Sequence, residues 1–209
     1  MAQVRTYDGA ARRARAAERR EAVLAAARRR LLELGYAATS LRAVAEESGV
    51  SVEYLSKTFG GKAGLVRALY DRGMLGSGSV PAEERSDAAQ EQETDVRTLM
   101  HRFGAFVVEV TPLAAPMFRL IREAAGSDPA MAALLRQVEH EQYDRMLLNA
   151  HRVHARGLLR PDVTAEQAAD VFWSLAGSDL YERLVVQRGW SGDRFADLMG
   201  RTLVAALVD

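Results

Sequence analysis

Between Thr39 and Lys62 the apolar positions fall into two short sets. Leu41, Val44 and Ala45 stand at i, i+3, i+4, and Val52, Leu55 and Phe59 at i, i+3, i+7, so each set marks one narrow apolar edge of a short helix. Helices of fewer than about 12 residues are marginal alone in water, so both need something longer to pack on. Gly49 and Ser51 mark the joint between them. A glycine closes a helix through its freedom at positive φ, and a serine accepts from the orphan N–H groups that open the next one. Helix, short glycine turn, helix is the helix-turn-helix pattern, which makes DNA the first partner to consider.

The flanking pattern supplies the longer element. Leu24, Ala27, Leu31 and Leu34 recur at i, i+3, i+7, i+10, predicting a helix from about Ala14 to Leu34 that Gly35 stops and Tyr36 packs back across. Residues 1 to about 13 lack apolar periodicity and carry Arg5, Arg12 and Arg13, which reads as a mobile basic arm. A further helix is predicted from Lys62 to about Arg72. Its approach, Gly-Gly-Lys-Ala-Gly at 60–64, departs from a phosphate-binding P-loop: Ser56 stands in place of the first glycine, Ala63 in place of the hydroxyl, and no strand precedes it. Two glycines instead end the second short helix and let Lys62 open a new one facing a DNA phosphate.

Residues 73–92 are rich in Gly, Ser and charge and read as a linker with a boundary near residue 76. Beyond it every pattern is helical. Val96, Leu99, Met100, Phe103, Phe106, Val107 and Val110 form one face, which Pro112 ends, and Pro116 opens a short helix with Met117, Leu120, Ile121 and Ala124 inward. Asp128 and Pro129 suit the start of a helix that runs to about Arg156 before Gly157. Two amides, Gln142 and Asn149, interrupt its inward stripe. They either line a ligand cavity or bond to a neighbouring helix, the commoner fate of a buried polar group. Thr164 with Gln167 forms a capping box, Ser178 caps the next helix and Ser191 the last. The strip Phe195, Leu198, Met199, Thr202, Leu203 and Ala206 on that last helix either closes the core or pairs with a second copy. The fold class is therefore all-α, with a DNA-binding domain over 1–75 and a larger helical domain over 76–209.

Composition narrows the function. The formal net charge is zero, yet residues 1–72 hold 14 Arg+Lys against 8 Asp+Glu, leaving 14 against 20 in the remainder. That segregation suits a chain whose first part meets a polyanion. No run of 18 apolar residues and no apolar signal stretch is seen, so a cytoplasmic location without a membrane partner is expected. The chain has no cysteine, hence no thiolate chemistry. His140 and His151 lie on one predicted helix about 16 Å apart, too far for one ion; His151 with His154 would need a third ligand from another helix, so solvent-facing histidines are the expected reading, with no metal and no cofactor. No nucleophile, zinc-protease or dinucleotide motif is present, and the chain is not expected to be an enzyme.

Residues 15–72 resemble the tetracycline-repressor (TetR) family of bacterial regulators. The likeness is carried by Ala26, Ala27 and Leu31, Gly35-Tyr36, Thr39-Ser40-Leu41, Val44-Ala45, Gly49-Val50-Ser51, Phe59, Lys62 and Leu65, and residues 180–191 look like a C-terminal motif of many actinobacterial members. The resemblance implies a three-helix DNA-binding domain ahead of an all-α ligand-binding and dimerisation domain. It implies that Thr39 and Ser40 cap the first short helix, with Thr39 on a phosphate and Arg42 beside it. Ser51, Val52, Glu53, Tyr54 and Lys57 would be the exposed positions of the recognition helix, and Lys62 would hold the DNA backbone.

Ser56 stands where family members usually carry a tyrosine on the DNA backbone. Tyr54, about 200° round the helix from it, does not replace that ring, and either enters the major groove or packs on the first helix. Glu53 either accepts from cytosine N4 or rejects wrong sequences.

The expected function is that of a homodimer, paired through its C-terminal helices, on a palindromic double-stranded operator. Its two reading heads would lie about 34 to 36 Å apart, and as a repressor it would be released by a small apolar or aromatic effector. The expected effector-lining set is Phe103, Phe106, Met117, Phe118, Ile121, Gln142, Met146 and Phe172, each of which serves core packing equally well. The alternative is a regulator without a small effector, whose C-terminal domain has a filled core and binds a protein partner. A helical enzyme is a third reading.

Overall fold

The computed structural model describes residues 5–78 and 80–208, among which there is no strand. The elements are α1 (Arg5–Ala38), α2 (Leu41–Ser48), α3 (Val52–Phe59), α4 (Lys62–Met74), α5 (Ala82–Gln92), α6 (Val96–Ala125), α7 (Pro129–Ala155), α8 (Ala165–Ala176), α9 (Ser178–Tyr181) and α10 (Gly192–Leu207), with a π-helical segment, Glu182–Gln187, between the last two. The all-α class is the observed one.

Contacts divide the chain into two compact units. One holds the described residues up to Leu69 together with Pro116–Ala132; the other holds Tyr70–Ala115 and the residues from Ala133 onward. In the first unit Val23, Leu24, Ala27 and Leu31 of α1 are buried, as are Val44 and Ala45 of α2, Leu55 and Phe59 of α3, and Leu65, Val66 and Leu69 of α4. The two short helices thus gain from packing the stability they lack alone. Arg29 and Arg30 of α1 both pair with Glu47 of α2.

In the second unit the main core joins Leu99 and Met100 of α6, Ala150 and Val153 of α7, Ala168, Ala169 and Phe172 of α8, and Leu203 and Leu207 of α10. Phe195, Met199 and Val107 form a satellite, with Tyr181 edge-on to Phe195 at 5.5 Å between centroids. Of the expected strip on α10, Phe195, Met199 and Leu203 enter the core of their own chain, while Leu198, Thr202 and Ala206 are half-buried.

Three expectations need correction. The basic arm is helical from Arg5 onward, its first four residues lying outside the described ones. Alanine and arginine are strong helix formers, so α1 extends without an apolar face, and residues 10–22 are exposed. Helix α6 does not break at Pro112 but runs on to Ala125 through both prolines. These lie one turn apart, Pro112 exposed and Pro116 half-buried; each costs one N–H to the carbonyl four residues before it, while burial of Ala114, Met117 and Ile121 holds the helix continuous.

The third correction is α5, which falls inside the expected linker and has 11 residues, of which only Ala82, Ala89 and Gln90 are buried. Polar contacts hold it. Arg85 donates to Glu109 of α6 at 2.6 and 2.9 Å, and Arg145 of α7 reaches Glu83 at 3.0 Å and Asp87 at 2.6 Å. Arg152 also meets Asp87, and Arg156 caps the carbonyls of Gln90 and Glu93.

Two of the three caps expected on the later helices are present, with the reciprocal Thr164 and Gln167 bonds formed and Ser191 accepting from the Arg194 N–H at 3.3 Å. Ser178 is the first residue of α9 and makes no side-chain cap. Helix α6 is long and apolar enough to cross a membrane by length and composition alone. Its inward side chains Leu99 and Met100 belong to the second unit's core.

Candidate nucleic-acid interface and helical cavity

The α2–α3 pair is set by its caps. Ser40 Oγ accepts from the Ala43 N–H at 3.1 Å and Ser51 Oγ from the Tyr54 N–H at 3.1 Å, while Gly49 and Gly60 close the two helices in the left-handed region. Entry into α2 is fixed upstream. Gly35 has φ 79° and ψ 173°, a conformation essentially restricted to glycine, and its carbonyl accepts from Thr39 Oγ1 at 2.8 Å.

Thr39 is only 2% exposed. Its hydroxyl donates to the Gly35 carbonyl, a bond that positions the turn before α2.

The caps leave one edge of α3 outward. Val52 is 42% exposed, and Ser51, Glu53, Ser56 and Lys57 are exposed beside it. Glu53 and Lys57 pair at 2.8 Å, and on α2 Arg42 and Glu46 pair at 2.9 Å, all four side chains being mostly in solvent. Such i, i+4 pairs contribute little to stability, so Lys57 and Arg42 can exchange them for a phosphate at small cost. Ser40 and Arg42 are exposed at the start of α2. Tyr54 is half-buried with the Arg19 guanidinium of α1 5.8 Å from its ring centroid, which is the packing placement of the two open to it. Phe59 is buried, with Arg20 4.7 Å from its ring.

Lys62 opens α4 with its ammonium 3.9 Å from the centroid of Tyr36. The Tyr36 hydroxyl donates to Asp128 at 3.0 Å, and burial, aided by that bond, pushes the phenol up to about 12. Burial lowers Lys62, against the opposing pull of Asp128. Asp128 is held below the usual carboxylate range first by the Met131 N–H, then by Tyr36, the Ala130 N–H and the Lys62 charge. Sequence reasoning placed Asp128 as a helix cap but missed its second role, because Tyr36 lies 92 positions away.

The second unit contains a cavity of about 20 Å³ bounded by α5, α6, α7 and α8. Phe103, Phe106 and Phe172 line it, with Met100, Val153, Gln90 and Asn149. Met146 packs against the adjoining core, and Gln142 donates to Tyr70 Oη at 2.7 Å. Met117, Phe118 and Ile121 are buried in residues grouped with the first unit and do not line the cavity. Gln90 had no sequence signal: it sits on a helix without an apolar stripe.

A helix-turn-helix with an outward recognition edge, followed by a helical unit with its own core, defines a DNA-binding regulator. Residues 23–69 match the family model of bacterial regulatory proteins, tetR family. The match assigns residues 23–69 to the DNA-binding domain of that family.

Similar solved structures extend the likeness in fold over nearly the whole chain. The SmeT–triclosan complex has a TM-score of 0.69 at 19% identity and covers 92% of each chain. NalD, the secondary repressor of the MexAB-OprM multidrug efflux pump in Pseudomonas aeruginosa, has a TM-score of 0.70 at 18% identity, covering 92% of this chain and 97% of its own. GusR of Salmonella enterica has a TM-score of 0.65 at 20% identity, covering 91% and 95%. No curated protein matches the chain in sequence.

Proposed function

We propose that the protein is a homodimeric transcriptional repressor that binds a palindromic operator and leaves it when a small apolar or aromatic effector occupies the second unit. DNA recognition is assigned to residues 1–75, and effector binding and pairing to 76–209. The observation that carries the reading is the outward edge of α3, where Val52, Glu53, Ser56 and Lys57 stand in solvent beside two capped turns. An edge of this size fits the major groove, and Ser40, Arg42 and Lys62 flank it with groups suited to phosphate.

Pairing through the C-terminal helices is supported by Trp173 of α8 and Val186 of the π segment, 42% and 59% exposed. A small effector is supported by the aromatic cavity, and by two of the similar folds being a complex with triclosan and a repressor of a multidrug efflux pump. An effector releases DNA only by binding the two states of the dimer unequally.

The test is selection of bound duplexes from a random pool. A palindrome with half-sites about one helical turn apart is expected; recovery of no palindrome at moderate salt sinks the reading. The cavity's size favours a second reading. A space of about 20 Å³ holds roughly one water, as expected of a domain that binds only a protein partner. A compound that lowers affinity for the selected duplex decides against that reading.

A further inference from the structure

We infer that the cavity of the second unit takes a neutral aromatic molecule bearing one hydrogen-bond donor, a phenol or an aromatic amide, with Gln90 as the acceptor. The inference rests on the effector reading above and gives that site its chemistry. Gln90 is 7% exposed. Its Nε2 is used, donating to Asn149 Oδ1 at 3.0 Å and to the Ser86 carbonyl at 3.5 Å, whereas its Oε1 is buried without a partner. Buried side-chain oxygens in folded proteins are nearly always matched, so this one marks a place for a donor. Among the described residues Arg160 Nε is the other unmatched buried side-chain atom, and Arg160 does not line this cavity.

The walls set the rest of the ligand. Phe103 and Phe172 lie 4.9 Å apart between centroids, and Phe106, Met100 and Val153 complete an apolar surface suited to a ring. One charged side chain borders the space, Arg102, and its guanidinium turns to Glu93 at 3.5 Å with half of the side chain in solvent. No carboxylate borders it. A cation would lose its hydration without gaining a counter-charge, and the one bordering cation, Arg102, already faces Glu93, so the ligand is neutral.

A ring needs more than about 20 Å³, so one wall must yield. The walls from α6, α7 and α8 share the main core. Helix α5 buries only two alanines and Gln90 and is held by Arg85, Arg145, Arg152 and Arg156. These contacts are polar and lie at the edge of the unit, whereas the other three walls share its apolar core, so α5 is the wall that withdraws, and the ligand's donor then engages the Gln90 oxygen that no protein group meets.

Calorimetric titration of the full chain with phenol and with toluene tests this. Phenol is expected to bind about tenfold tighter, the worth of one neutral hydrogen bond to a buried acceptor. Gln90→Met, which keeps the volume and removes the acceptor, is expected to abolish that preference while toluene still binds. The wild-type comparison needs no variant, and a circular dichroism spectrum checks that Gln90→Met is folded. Equal binding of phenol and toluene by the wild type, a phenol preference that survives Gln90→Met, or no binding of either at millimolar concentration overturns the inference. Release of the selected duplex separates the two levels. Release by apolar rings regardless of a donor sinks the role of Gln90 and leaves the effector reading standing; no release by any member of a broad set of small apolar and aromatic compounds sinks both.

Discussion

The Tyr36 hydroxyl donates to Asp128 Oδ2 at 3.0 Å, while Oδ1 of the same carboxylate accepts from the Ala130 and Met131 N–H groups at 2.8 and 3.1 Å. One side chain therefore caps α7 and ties its first turn to the residue that follows Gly35. Tyr36→Phe keeps the ring beneath Lys62 and removes the bond, and is expected to lower stability by about 1 kcal/mol. Asp128→Ala removes the cap as well and should cost more. A double-mutant cycle by urea unfolding checks the pair: additive effects of Tyr36→Phe and Asp128→Asn would mean that the bond contributes nothing.

Acid should loosen the hold on α5. The Arg85 hydrogen bonds, helped by the Ser77 N–H, hold Glu109 down to about 2 from an ordinary 4.5. A carboxylate lowered in the folded state contributes stability that is fully present above its unfolded value and disappears as pH falls through its folded one. Thermal melts of the wild type and Glu109→Gln should differ by a constant amount above about pH 5 and converge as pH falls towards 2. A difference that does not change between those limits would show that the Arg85 and Glu109 pair is not coupled to folding.

Local chemistry explains what could be read in advance. Ser40, Ser51, Gly49 and Gly60 act within four residues of themselves, so the helix-turn-helix is written in its own 24 positions. Long-range roles were not legible. Asp128 reads as a cap because capping is local, whereas its bond to Tyr36 depends on how distant segments pack. Helix α5 was hidden because its hold comes from arginines on α7 about 60 residues away, which leave no apolar period for a sequence to display. The two prolines of α6 follow a local rule that tertiary burial overrides.

Gly64 should tolerate no side chain. A Cβ at this position would lie 1.7 Å from the Phe59 carbonyl oxygen, a backbone atom that cannot move without unwinding the end of α3. Gly64→Ala is therefore expected to destabilise the first unit by at least about 1–3 kcal/mol, the usual range for overpacking, and to lower the urea midpoint. An unchanged midpoint would contradict the close passage of α4 by α3.

Thr39 separates positioning from contact. Thr39→Val removes the hydroxyl that Gly35 accepts and should lower stability by about 1 kcal/mol, whereas Thr39→Ser should restore it. With both variants folded, affinity for the selected duplex should match the wild type. A loss of affinity in folded Thr39→Val that Thr39→Ser repairs would return this side chain to the DNA interface.

Lys62 tests the assignment of groups to the DNA backbone. Lys62→Ala should weaken binding to all duplexes alike and reduce the slope of log affinity against log salt by about 1, as expected when one phosphate contact is lost. It also removes the ammonium from the Tyr36 ring, so some stability is lost with it. Lys62→Arg keeps the charge and the stacking and should retain the salt slope, which distinguishes lost charge from a loosened α4. Lys57→Ala, on the exposed edge of α3, is the comparison within the recognition helix. A change in the preferred sequence caused by Lys62→Ala would mean that this residue reads bases and that the phosphate assignment is wrong.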